Sequence, residues 1–176
     1  MILKIGGFIA LVIAAIVIYA AVQPSKYEIK RDVSINAPAE KIFPWLNNAA
    51  KINQWMPWTD IDPQVVMTAG GASEGVGSVS NWKSPGQMGE GMAVIDESVP
   101  NVRVKTNVVY YKPMAMTQVA YFTVNESNGA STVQWSVEGH NNLIGRIMCI
   151  FVSLDKMVGP NFEMGLKKLK NFVENS

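Results

Sequence analysis

The chain has 176 residues, of which 15 are basic and 14 acidic, for a net charge of +1. That balance supplies no basic field of the kind that releases counterions from a phosphate backbone, so no nucleic-acid partner is expected. A single cysteine, Cys149, and a single histidine, His140, exclude an internal disulfide and leave too little for an imidazole-rich zinc site or a His-based triad. No cofactor, metal site or catalytic constellation is therefore expected.

The first element is Ile5 to Val22, a run of 18 residues without a charge. As a helix it would be about 27 Å long, close to the hydrocarbon thickness of a bilayer. Lys4 and the stretch Gln23-Pro24-Ser25-Lys26 bound it, and Tyr19 lies near one end, where an amphipathic ring suits an interface. A cleaved signal peptide is the competing reading. Its apolar core would be about 7–15 residues with small residues before the cut, whereas cleavage after Val22 or Ala20 places a branched residue at −1 or −3. The expectation is an N-terminal transmembrane anchor over 1–23, a linker over 24–26 and one folded domain over 27–176, in a single-pass membrane protein. Lys26, Lys30 and Arg31 outnumber the charges at the other end, which favours a cytoplasmic domain. N-terminal signal-anchors often translocate the domain behind them, however, and the reading leans to the extracytoplasmic side. The oligomeric state is not fixed by the sequence.

After Pro24 the period becomes two. Tyr27, Ile29, Val33 and Ile35 alternate with Glu28, Lys30, Asp32 and Ser34, the pattern of a half-buried strand, with Arg31 as the one misfit on the apolar face. Asn36-Ala37-Pro38-Ala39-Glu40 reads as a helix start, and Asn47-Asn48 as its close. The aromatic phrase Trp55-Met56-Pro57-Trp58 and a glycine-rich stretch from Gly70 to Gly77 come next. The glycines lack phosphate-loop spacing and read as turns and sheet bends. From Val76 to Gly139 strands succeed one another. Asn128-Gly129, between Ala120-Phe122-Val124 and Val133-Trp135-Val137, marks a hairpin and hence an antiparallel sheet. Leu143, Ile147, Phe151, Leu154 and Val158, then Phe162, Leu166, Leu169 and Val173, fall at helical spacing, with a kink or break expected at Gly159-Pro160. The fold class is α+β, a curved antiparallel sheet wrapped around a long C-terminal helix.

Several phrases in this order resemble the SRPBCC superfamily, the START-like or helix-grip proteins, and within it the polyketide cyclase/dehydrase and lipid-transport-like branch. They are Val33-Ser34-Ile35-Asn36-Ala37-Pro38-Ala39-Glu40 with Ile42-Phe43, Trp55-Met56-Pro57-Trp58, Gly75-Val76-Gly77-Ser78 with Trp82, Gly89-Glu90-Gly91-Met92, Thr132-Val133-Gln134-Trp135, and Phe162 to Lys170. The resemblance covers roughly residues 27–174. It implies a cavity between the sheet and the C-terminal helix that holds hydrophobic ligands, in proteins ranging from lipid carriers to aromatase/cyclases.

Candidate cavity residues are Tyr110, Phe122, Trp135, Phe151 and Leu154, on the expected inner faces of sheet and helix, with Trp82 and Met92 from a soft set of tryptophans and methionines that suits an adaptable pocket. Glu90 joins them in one of two arrangements. Either it points inward with Met88, Met92 and Val94, or it points outward while Ala93 and Ile95 point inward. A carboxylate inside an apolar cavity would be functional, since its burial costs several kcal/mol unless it is paired or protonated. Asp60 and Asp62 share one side of an extended segment but lack further oxygen ligands nearby, so they read as a solvated strand entry. His140 reads as an exposed loop residue. The expected function is membrane-anchored binding of a hydrophobic or amphipathic small molecule, with lipid as one class. The alternatives are a cyclase- or hydratase-like enzyme using Glu90 with a tyrosine, and an interaction module whose cavity is filled by its own side chains.

Overall fold

A computed structural model of the chain describes the backbone of residues 2–176 and the side chains of residues 6–176. In chain order the elements are α1 (Ile2–Val22), β1 (Lys26–Ile35), α2 (Ala39–Leu46), α3 (Ala49–Trp55), α4 (Trp58–Ile61), β2 (Val66–Gly71), β3 (Ser78–Lys83), β4 (Glu90–Val99), β5 (Arg103–Lys112), β6 (Met116–Ser127), β7 (Ala130–His140), α5 (Leu143–Phe151) and α6 (Leu154–Glu174). The strands form one seven-stranded sheet in the order β1-β7-β6-β5-β4-β3-β2, antiparallel throughout. The expected arrangement of an antiparallel sheet against a C-terminal helix is the observed one.

The register is set by local chemistry. Asn128 and Gly129 both have positive φ, 53° and 79°, and so make the two-residue turn that sets Phe122 opposite Trp135. Along β1 the alternation puts Ile29, Arg31, Val33 and Ile35 on the face that α6 covers, opposite Val137, Trp135, Val133 and Ser131. α6 packs on β1 and β7, while α3 supports β2 and β3. The core between them contains Trp55, Phe122, Val133, Trp135, Phe162, Leu166 and Leu169, all buried.

Arg31, the misfit of the apolar face, has a specific place. Its guanidinium lies against Gly159 of α6, where a Cβ would collide with it, and it donates to Asp155 at 2.8 Å and to Glu163 at 2.7 Å. The break expected at Gly159-Pro160 is absent, and α6 runs through both residues. The interruption falls earlier, at Val152-Ser153, where the Ser153 side chain accepts from Lys156 N–H and caps a new helix.

The expected membrane anchor is corrected. Among the described residues, no helix is long and apolar enough to cross a membrane, which overturns the single-pass reading and with it the extracytoplasmic placement. Lys4 and Ile5, which mark the start of the apolar run, have side chains outside the described residues. The last turn of α1 is tied into the domain: Ala20 is buried, and Arg146 Nη1 of α5 donates to the carbonyls of Ala21 at 2.9 Å and Gln23 at 3.2 Å. Ser25 O in turn accepts from Asn141 N–H.

Candidate functional site

The inner face of the sheet divides along its strands into two halves. Toward the β6–β7 turn it is closed by aromatic packing. Trp135 stacks on Phe162 of α6, with centroids 4.0 Å apart and planes 10° from parallel, and meets Trp55 and Trp58 edge-on. Phe122 and Val104 complete this packed half, and Gly165 lets α6 cross close to Pro57 and the Trp135 ring, where a Cβ would fit tightly at 3.0 Å from both.

The other half is lined by partly buried side chains. Val108, Gln118, Gly139 and Tyr27 form one cross-strand row over β5, β6, β7 and β1. Tyr27 folds over Gly139, where a Cβ would collide with its hydroxyl. The next row carries Tyr110, which meets the buried Trp82 ring edge-on at 5.2 Å, while Trp82 Nε1 donates to Met88 O at 3.1 Å. Burial pushes the Tyr110 phenol up to about 12, with Tyr27 contributing less, and burial followed by nearby Cys149 raises Tyr27. Both hydroxyls are therefore neutral donors at neutral pH.

Thr106 lies where the halves meet, on the same side of β5 as Val108 and Tyr110 and opposite Ala120. It is 6 % exposed, and among the described residues its hydroxyl has no hydrogen-bond partner. The buried Nε1 of Trp135 also lacks one. At the mouth stands α5, whose nine residues include none that is buried and which packs on α1. Cys149 of α5 accepts from Asn141 Nδ2 at 3.4 Å, and Phe151 is 70 % exposed.

The eight residues singled out from sequence are thus distributed over several environments. Tyr110 and Trp82 line the open half, and Leu154, in the first turn of α6, is half-buried against the core. Phe122 and Trp135 are inward but belong to the packed half. Phe151 projects outward from the end of α5. Met92 and Glu90 lie on the opposite face of the sheet, because Gly91 must sit beneath the Trp82 ring and Ile95 is buried, which fixes the parity of β4. Glu90 pairs with Lys112 at 3.3 Å beside an open outer groove of about 530 Å³ that it shares with Thr68, Asn81, Lys83 and Tyr111.

The acidic pair after the tryptophans is structural. Asp60 meets Lys168 of α6 at 2.6 Å. Asp62 accepts from Met88 N–H, the Ser84 hydroxyl and Gln64 N–H, and these bonds hold its carboxyl below the usual range. Among the described residues, no group of acidic, His and Cys side chains has the proximity to hold a metal ion. Tyr27, Gln118 and Thr106 were not singled out from sequence. The available signal was parity, since each is a polar side chain on the apolar phase of its strand.

By sequence, no family model and no curated protein matches the chain. By structure it is similar to several solved proteins. A truncated norcoclaurine synthase from Thalictrum flavum is 14 % identical with a TM-score of 0.64, over 86 % of this chain and 96 % of that one. A protein from Chromobacterium violaceum is 16 % identical with a TM-score of 0.61, over 86 % and 99 %. The di-domain ARO/CYC protein of the steffimycin biosynthetic pathway is 9 % identical with a TM-score of 0.62, over 85 % of this chain and 51 % of that one. At these identities the likeness shows the fold, which is helix-grip.

Proposed function

We propose that the domain binds a hydrophobic small molecule, with lipids as one candidate class, in the open half of the inner face, alongside the binding members of the polyketide cyclase and lipid-transport-like branch. One observation carries this reading: the inner face is packed shut at one end and half-buried at the other, and the buried Thr106 hydroxyl between the two ends has no partner among the described residues. An unpaired buried hydroxyl costs about 1–3 kcal/mol, and a bound molecule offering an oxygen or nitrogen would remove that cost once the half-buried side chains that cover Thr106 move aside to admit it. Apolar and aromatic walls with a few convergent polar groups are the usual composition of a small-molecule site. Trp82, Tyr110, Val108 and Leu154 supply the walls, and Tyr27, Gln118 and Thr106 the polar groups.

The enzymatic alternative built on Glu90 loses its acid, because that carboxylate lies on the other face and pairs with Lys112. Norcoclaurine synthase and the ARO/CYC protein are structural neighbours, and the fold they share with this chain does not select a chemistry.

The test is titration with N-phenyl-1-naphthylamine, an uncharged fluorescent probe. A saturable signal near one probe per chain is expected, reduced at least tenfold in affinity by Val108→Trp, which fills the open half, in a variant whose circular dichroism is unchanged. Equal binding by the variant would remove the site from the inner face.

A further inference from the structure

The ligand's charge can be read from the lining. On the inner face of the open half, from Tyr27 and Ile29 on β1 to Ser80 and Trp82 on β3, no position carries an ionised side chain. The polar groups there are two phenols, an amide and two aliphatic hydroxyls, all neutral.

Two cations stand nearest this region, Arg31 and Arg146, and they differ in how they are held. Arg31 faces two carboxylates, Asp155 and Glu163, so that trio carries one net negative charge. Asp155 lies in the first turn of α6, next to Leu154 at the mouth. Arg146 of α5 turns to the carbonyls of Ala21 and Gln23 at the end of α1. An anion entering the cleft would lose its hydration and approach a net-negative cluster; among the described residues only Arg146, held by carbonyls and with its buried Nε unpartnered, stands nearby without a carboxylate, so the neutral lining disfavours buried charge. A neutral oxygen, by contrast, finds donors in Tyr27, Tyr110 and Gln118, and a hydroxyl in Thr106 that can donate or accept. The edge-to-face pair of Trp82 and Tyr110 adds an aromatic wall that suits a planar ring.

We infer that the cleft selects an uncharged, ring-bearing molecule with a hydroxyl, carbonyl or amide, and excludes carboxylates of the same shape. This rests on the binding reading above and narrows it.

Displacement of N-phenyl-1-naphthylamine from the full chain at pH 7 by 2-naphthol, 2-naphthamide and 2-naphthoate tests it. The ring is constant across the three and only the last is charged. The expected result is displacement by naphthol and naphthamide at concentrations at least tenfold below that needed for naphthoate. Naphthoate displacing as well as naphthol, from a site that Val108→Trp still blocks, overturns the ligand class while leaving the site intact. If Arg146→Gln then abolishes naphthoate displacement, Arg146 is the available cation and the class is anionic. Failure of both neutral compounds against a probe that Val108→Trp blocks also overturns the class. A probe signal insensitive to Val108→Trp removes the site, and the inference with it.

Discussion

The packed and open halves of the inner face are built from the same strands, yet they perform different work. In one, Trp135, Phe162, Phe122 and Trp55 exclude solvent and hold α6 to the sheet. In the other, Tyr27, Val108, Tyr110 and Gln118 remain half-buried, and α5 stands beside them without burying a residue. The contrast shows how a small sheet separates stability from recognition: interior contacts are concentrated at one end, so the other can stay incompletely packed at little cost to the fold.

The largest effect should come from the packed half. Trp135→Ala removes the partner of Phe162 and is expected to cost about 3–5 kcal/mol, seen as a lower denaturation midpoint. A loss below 1 kcal/mol would mean that the stack does not hold α6. In the open half, Tyr110→Phe should leave stability within about 1 kcal/mol of the parent and weaken binding of 2-naphthol about fivefold, the value of one neutral hydrogen bond. A large stability loss there would erase the distinction between the halves. The smallest effect belongs to the outer face. Glu90→Gln removes half of a partly exposed ion pair, and stability should change by no more than about 0.5 kcal/mol. Probe affinity should hold within twofold, and a tenfold loss would return Glu90 to the ligand.

Much of this division was present in residue patterns. The alternation of β1 and the Asn128-Gly129 turn set the inner face of three strands, on which Trp135 and Phe122 could be placed from parity, and the alternation of Val104, Val108 and Tyr110 did the same for β5. Glu90 and Met92 could not, because both phases of β4 hold apolar residues. The phase is decided by Trp82, which covers Gly91 and forbids a side chain there. The C-terminal helices were readable as helical but not in their division. Pro160 is the stronger breaker by propensity, yet α6 tolerates it, and the cap that separates two helices is a single serine side chain. Arg31 appeared as a misfit because its partners lie more than a hundred residues away. The apolar run at the N-terminus matched a bilayer in length as sequence, but its last turn is joined to α5 through Arg146.

Gly159 gives this architecture a mechanical asymmetry. By leaving room for the Arg31 guanidinium beneath the helix, it lets one side chain of β1 grasp α6 from both sides, at Asp155 and Glu163. That stretch of α6 then acts as a fixed beam, unable to slide along its axis without breaking both ion pairs. The segment before it, α5 with the Val152-Ser153 joint, has no such ion pair to the sheet among the described residues. Ser153 therefore marks the change from a stretch of helix fastened to the sheet by ion pairs to one fastened to α1 by hydrogen bonds.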